Sequence, residues 1–220
     1  MPHPTKQALF EHFARIGKAA ASPARLEILD LLAQGEKTVE TLARQAGLSV
    51  KNASAHLRTL RAASLVETRR EGTFIHYRLA DAAVHDLLRC LQDIAARQLA
   101  EVRELVADFF SDPGGMEPLC PEELMERLNR GEVTVLDVRP EDEFRSGHIP
   151  GALSVPLGHL RDQLDLLPPE LEVVAYCRGP YCVLSVEAAE LLRGRGLRVR
   201  RLDVGLPDWE RLGLPVEAGV

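Results

Sequence analysis

Residues 22–79 read SPARLEILDLLAQGEKTVETLARQAGLSVKNASAHLRTLRAASLVETRREGTFIHYRL. Ser22-Pro23 is an N-cap followed by proline at the first helical position, and Leu26, Ile28, Leu29, Leu31 and Leu32 carry an apolar helix to a stop at Gly35. Thr38, with Glu40 and Thr41 behind it, opens a short helix that ends at Gly47, and Ser49 caps the next one. In that helix Val50, Ala53, Leu57 and Leu60 recur at spacings of three and four, which predicts one buried stripe. Lys51, Asn52, Ala55, Arg58 and Thr59 fall on the opposite face, flanked by Ser54 and His56. A short helix, a tight turn at Gly47-Leu48 and a helix with a polar, basic outer face form the helix-turn-helix pattern, whose second helix fits the major groove. Two β-like runs, LVETRR and TFIHYRL, then flank Glu71-Gly72 as a hairpin, with Gly72 supplying a positive φ. Arg69 and Arg70 stand near its tip, so this wing is expected to reach phosphates beside the groove.

On either side of that stretch the pattern is helical. Thr5 to Ala20 is amphipathic, and Asp81 to about Phe110 reads as one long helix, about 45 Å at ~1.5 Å per residue. Its apolar residues, among them Val84, Leu87, Leu88, Leu91, Ile94, Leu99, Val102, Leu105 and Val106, exceed what one small domain can bury, which predicts a dimer seam. Cys90 falls in that seam as a small hydrophobe.

The charge is unevenly distributed. The chain carries a net charge of -6, yet residues 1–112 hold 15 Lys and Arg against 14 Asp and Glu, while 113–220 hold 12 against 19. Within 37–78 eight basic residues face three acidic ones, a net of +5 and the place where a polyanion would dock. The run SDPGGMEP, Ser111 to Pro118, marks a linker between residues 1–110 and 119–220.

The quoted stretch resembles the winged helix-turn-helix of the ArsR/SmtB family of bacterial repressors, over nearly all of residues 5–110. The resemblance implies a homodimer built on the first and last helices, with residues 49–60 as the recognition helix on double-stranded DNA. It places Ser49, Lys51, Asn52, Ser54, His56, Arg58, Arg69 and Arg70 at the DNA; for His56 a packed helix residue is the competing reading. Metal-sensing members carry a Cys-Val-Cys pair in the helix before the turn. This chain reads GEKTVETLA there, with neither Cys nor His, which excludes thiolate metal sensing at that place. No metal and no cofactor is expected.

Beyond the linker, helix and strand alternate. Pro121 to Asn129 is a helix, VTVLDVR a buried strand, GHIPGALSVPL a turn with a short extended piece, LEVVAYC a second buried strand, VLSVEAAELLRGRG a helix and LRVRRLDVG a further strand. This order predicts an α/β domain with a mainly parallel sheet and its reactive crevice at the carboxyl ends of the strands. Cys177 stands at one such end, followed by the loop RGPY and a new helix. Loop N–H groups and the positive end of the helix both favour a thiolate there, and Arg178 adds charge. Of the four cysteines, Cys90, Cys120, Cys177 and Cys182, only Cys177 has the setting of a nucleophile.

Residues 119–216 resemble a rhodanese homology domain through LDVRPEDEFRSGHIPGALSVPL (Leu136 to Leu157), YCRGPYC and LDVGLPDWERLGLPV, in that order. The resemblance implies sulfur transfer: Cys177 takes a sulfane sulfur as a persulfide from a small donor and passes it to a thiol acceptor. The active-site loop is then Arg178, Gly179, Pro180, Tyr181, Cys182 and Val183. Asp137, Arg139, Glu143 and His148 occupy landmark positions and read as charged groups holding the sheet edge, and Trp209 reads as core. The loop departs from the commoner pattern, which has an Arg five residues after the nucleophile; here Cys182 stands there, which disfavours thiosulfate as donor. Val183, six residues after Cys177, removes the Arg that a phosphatase or arsenate reductase needs to clamp an oxyanion. Cys182 is either a resolving thiol or a small residue at a helix N-terminus.

No apolar run approaches the ~18 residues of a membrane span, and four scattered cysteines are too few for a disulfide framework, so a cytoplasmic protein with reduced thiols is expected. The sequence thus predicts two domains, a mainly α winged helix-turn-helix followed by an α/β rhodanese-like domain, acting as a DNA-binding repressor whose Cys177 links sulfur chemistry to gene control. The competing reading is a sulfurtransferase whose N-terminal domain serves only for dimerisation.

Overall fold

A computed structural model describes residues 3–110 and 118–219. The chain divides into two compact units, Met1–Ile94 and Ala95–Val220. All of the expected linker except Pro118 lies outside the described residues.

The first unit holds α1 (Pro4–Ala20), α2 (Pro23–Ala33), β1 (Lys37–Thr38), α3 (Val39–Gln45), α4 (Val50–Ala62), β2 (Val66–Glu71) and β3 (Phe74–Leu79), followed by α5 (Ala82–Gln98). Ile28, Leu29, Leu31 and Leu32 of α2 meet Leu42, Leu57, Leu60, Val66 and Val84 in one core. Thr38 Oγ1 accepts the Thr41 N–H at 3.3 Å and Ser49 Oγ accepts the Asn52 N–H at 3.2 Å, so α3 and α4 start where the caps predict. The turn between them is closed by Leu48 N–H on Ala43 O at 2.8 Å and Gly47 N–H on Arg44 O at 3.4 Å, with Gly47 at φ 63°. That is the left-handed helix end that glycine adopts without strain. The same pair of bonds ends α4, where Ser64 holds φ 58° in the place glycine usually takes. The wing is β2 paired antiparallel with β3, and β1, unexpected from the sequence, adds a third strand through Lys37 opposite Tyr77.

Three expectations are corrected here. Val50 is 46% exposed, because it opens α4 ahead of the turn that packs, so the buried stripe is Ala53, Leu57 and Leu60. Ser22 stands at the N-cap of α2 but its side chain makes no capping bond, leaving the start to Pro23. The long helix is broken: Leu99 adopts an extended φ of -99° and ψ of 119°, followed by α6 (Ala100–Leu105) and a π-helical turn at Val106–Phe110. Arg103 Nη1 donates to Arg97 O at 2.8 Å, serving a carbonyl close to the break. No glycine or proline marks this break in the sequence.

In the second unit α7 (Pro121–Asn129), β4 (Val133–Asp137), α8 (Glu141–Ser146), β5 (Leu153–Ser154), β6 (Glu172–Tyr176), α9 (Val183–Arg193), β7 (Val199–Arg201) and α10 (Leu206–Arg211) follow in order. The sheet runs β5-β4-β6-β7, all parallel, with Asp137 of β4 opposite Tyr176 of β6. The central strands β4 and β6 are buried throughout, and alternate residues feed two cores. Val173, Ala175 and Cys177 pack toward Ala188, Ala189 and Leu192 of α9, whereas Val174 and Tyr176 pack toward Leu124, Leu206 and Trp209. Trp209 is core, as expected, with Nε1 donating to Pro215 O at 2.8 Å. The short helices α8 and α10 were not anticipated; three acidic residues in the first turn of α8 suit the helix dipole.

The two left-handed turns predict opposite responses to substitution. An added Cβ at Gly47 meets nothing within 4 Å, so Gly47→Ala is expected to destabilise through backbone strain alone, by about 1 kcal/mol. Ser64→Gly is expected to stabilise by up to about 1 kcal/mol, both read from urea unfolding of the full chain.

Candidate functional site

The first site is the outer face of α4. Lys51, Asn52, Ala55, Arg58 and Thr59 are exposed together, and Ser54 and His56 are half-buried at its border. Ser49 is exposed, but its hydroxyl is engaged in the cap. Sequence reasoning missed a groove of about 770 Å³ between α1 and α4, lined by Glu11, Arg15, Lys18, Arg58 and Thr59. It sets two further cations beside Arg58. The amphipathic pattern of α1 contains both, but only helix packing decides that they border α4.

The wing is less cationic than its composition. Arg69 donates through Nε and Nη2 to Glu36 Oε2 at 3.0 and 2.9 Å, and through Nη1 to Glu71 Oε2 at 2.8 Å. These bonds raise the pKa of Arg69, Glu36 contributing most, and the Arg69 bond holds the Glu71 carboxyl below its ordinary range. Arg78 pairs with Glu67 at 2.9 Å, and Lys37 is buried. Arg70 bonds Gly72 O at 3.1 Å across the tip while remaining exposed. The +5 of residues 37–78 already subtracts Glu67 and Glu71, and it still overstates the charge a ligand meets, because Glu36, one residue outside that window, binds Arg69 and Lys37 is buried.

The second site lies at the carboxyl end of the parallel sheet, as expected. Asp137 and Arg139 are fully buried and paired, with Arg139 Nη2 to Asp137 Oδ2 at 2.6 Å and Arg139 Nη2 to Gly147 O at 2.7 Å. Burial opposes the charge of Arg139, but Asp137 outweighs it and the guanidinium pKa is raised. The Tyr176 hydroxyl donates to Asp137 Oδ2 and accepts the Ile149 N–H at 3.2 Å. Burial and then the charge of Asp137 push its pKa up, so it stays protonated as a donor. Tyr176 is thereby pinned on one face of the sheet, and the next residue, Cys177, is delivered to the other.

Cys177 is 2% exposed and joined to Cys182 in a disulfide, with 6.2 Å between their Cα atoms, a correction to the expectation of reduced thiols at these two positions. Cys182 is half-buried at the N-cap of α9, its N–H donating to Gly179 O at 3.1 Å and its carbonyl accepting from Ser185 Oγ at 3.1 Å. Arg178 turns toward Glu143, which accepts from Nε at 3.0 Å and from Nη2 at 2.8 Å. Its charge is compensated there, a correction to the expectation that it adds positive charge beside the thiol. Gly179, Pro180 and Tyr181 are half-buried and Val183 exposed. Gly205 backs the loop, where a Cβ would lie 2.0 Å from Arg178 O. His148, whose Nδ1 lies 2.9 Å from Phe144 O, stacks on the Phe144 ring. Cys90 and Cys120 are exposed free thiols.

A model of bacterial regulatory proteins of the arsR family matches residues 22–68, and a rhodanese-like domain matches residues 120–212. An HTH-type transcriptional regulator of Mycobacterium tuberculosis, Rv0324, is 45% identical over 97% of this chain and 94% of its own. The chain belongs to the ArsR-type regulators that carry a rhodanese-like domain. A protein of Allochromatium vinosum named sulfurtransferase is 34% identical over 44% of this chain and 91% of its own. Among solved structures, the homodimeric winged helix-turn-helix DNA-binding domain of Mb0332 from Mycobacterium bovis is 44% identical, covering 46% of this chain and 94% of that one, with a TM-score of 0.43.

The geometry predicts where this second unit is vulnerable. Arg139→Ala strands a buried carboxylate and is expected to cost about 3–5 kcal/mol. Gly205→Ala drives a methyl into loop backbone and is expected to cost about 2 kcal/mol or more. Calorimetry of the full chain reads both, with the first unit's transition as internal reference.

Proposed function

We propose that the protein is a transcriptional repressor that binds duplex DNA as a homodimer in the cytoplasm and carries sulfane sulfur on Cys177 as a persulfide. The observation that carries the DNA reading is the exposed, polar and cationic face of α4, set on a helix whose start and preceding turn are both fixed by hydrogen bonds. Lys51, Asn52, Ser54, His56 and Arg58 would meet the groove, with Ser49 at the helix entry. Arg70 contacts phosphate from the wing, and Arg69 does so only at the expense of its bonds to Glu36 and Glu71. Support for a dimer comes from large apolar side chains left exposed in the first unit, Leu9, Phe10 and Phe13 on α1 and Leu91 and Ile94 on α5. Two recognition helices related by a two-fold would read half-sites about 34 Å apart.

For the second unit, the support is the position of Cys177 at a β-strand end before a loop and a helix N-terminus. Persulfidation would regulate DNA binding only if it changes the relative stability of the DNA-competent and incompetent dimers.

Gel shifts and salt titration on the DNA upstream of the gene test this reading. Lys51→Ala or Arg58→Ala is expected to weaken binding and lower the salt slope by about 0.9 for each phosphate left without its cation. Arg69→Ala is expected to do less than either. Absence of specific, salt-dependent binding would leave the N-terminal domain as a dimerisation module for a sulfurtransferase. Titrations with reduced and disulfide wild-type protein and with persulfidated Cys182→Ser protein test the link between sulfur chemistry and DNA; equal affinities in all three states would remove that link and leave both activities.

A further inference from the structure

We propose that Cys177 and Cys182 together reduce sulfane sulfur to sulfide, so that the loop works as a dithiol reductase of persulfides and polysulfides. This rests on the reading of Cys177 as the sulfur-accepting nucleophile and says what becomes of the sulfur. The Cys177 thiolate attacks the outer sulfur of a persulfide, R–S–SH; the donor's S–S bond breaks and R–S⁻ leaves and takes up a proton. The Cys182 thiolate then attacks Cys177 Sγ, the bond from Sγ to the outer sulfur breaks, and HS⁻ departs. The two thiols lose two electrons to the sulfane sulfur and are left as the Cys177–Cys182 disulfide. Return to the dithiol requires an external dithiol reductant.

Three observations carry this. The strand end and the helix start hold the two cysteines bonded, with 6.2 Å between Cα atoms, inside the range a disulfide spans. A thiol held this near competes with any acceptor arriving from solution, because its attack is intramolecular. In the disulfide Cys177 is nearly inaccessible whereas Cys182 is half-buried, which leaves Cys182 as the sulfur a reductant can reach. Finally, Arg178 is engaged by Glu143 through two hydrogen bonds, so the loop's own guanidinium is held on a carboxylate and away from an oxyanion donor. The preferred donors are therefore persulfides and polysulfide chains, and thiosulfate is disfavoured.

The test uses the full chain with the exposed Cys90 and Cys120 changed to Ser, fully reduced, freed of reductant and given one equivalent of glutathione persulfide. Intact-mass spectrometry and a sulfide assay are read together. The expected result is one sulfide released per chain, a protein lighter by two hydrogens, and turnover that continues only when a dithiol is added. Cys182→Ser in the same background is expected to hold one extra sulfur on Cys177 and release no sulfide. With thiosulfate in place of the persulfide, sulfide release is expected to fall by about tenfold or more, since Arg178 is held on Glu143 rather than offered to the oxyanion. If the protein with both loop cysteines keeps the extra sulfur and releases no sulfide, the reductase proposal is overturned and Cys177 remains a sulfur carrier. If Cys182→Ser takes up no sulfur either, the carrier reading itself fails and the proposal falls with it.

Discussion

Asp137 and Arg139 sit fully out of water at the end of β4, and the second unit is organised around that pair. A buried ion pair is stable only when its remaining donors and acceptors are also satisfied. Here the guanidinium reaches Gly147 O, the carboxylate accepts the Tyr176 hydroxyl, and the hydroxyl in turn accepts the Ile149 N–H. One network thus ties the end of β4, the segment leading to β5 and the last residue of β6. Because successive strand residues point to opposite faces, holding Tyr176 on one face sets Cys177 on the other.

A second constraint shapes the loop after Cys177. Gly205 presses its backbone against Arg178 and Gly179, Arg178 is held by Glu143, and Cys182 begins α9. With its middle held from behind and both ends fixed to regular structure, the loop brings its two cysteines together.

In the first unit geometry is set by helix ends. Two caps and two left-handed turns fix where α3 and α4 begin and stop, which orients the cationic face of α4 relative to the core. Electrostatics is then decided locally. Arg15, Lys18 and Arg58 gather around one groove, while Arg69 and Arg78 on the wing are neutralised by Glu36, Glu71 and Glu67.

Much of this was legible in the sequence, for one reason: caps, periodicity and turn residues are local, and local rules place element ends. Thr38, Ser49, Gly47 and Gly72 mark their turns without help from the rest of the chain, and buried strands such as VTVLD and EVVAY announce a parallel sheet. The strand-end position of Cys177 followed from those elements. What depends on residues far apart in the chain was not legible: the pairing of Arg69 with Glu36, the capture of Arg178 by Glu143, and the approach of Arg15 and Lys18 to Arg58. The break at Leu99 carries no glycine or proline to announce it. Charge counted along a chain is therefore not the charge a partner meets, because a side chain's effective charge is fixed by whatever folding brings within hydrogen-bond reach.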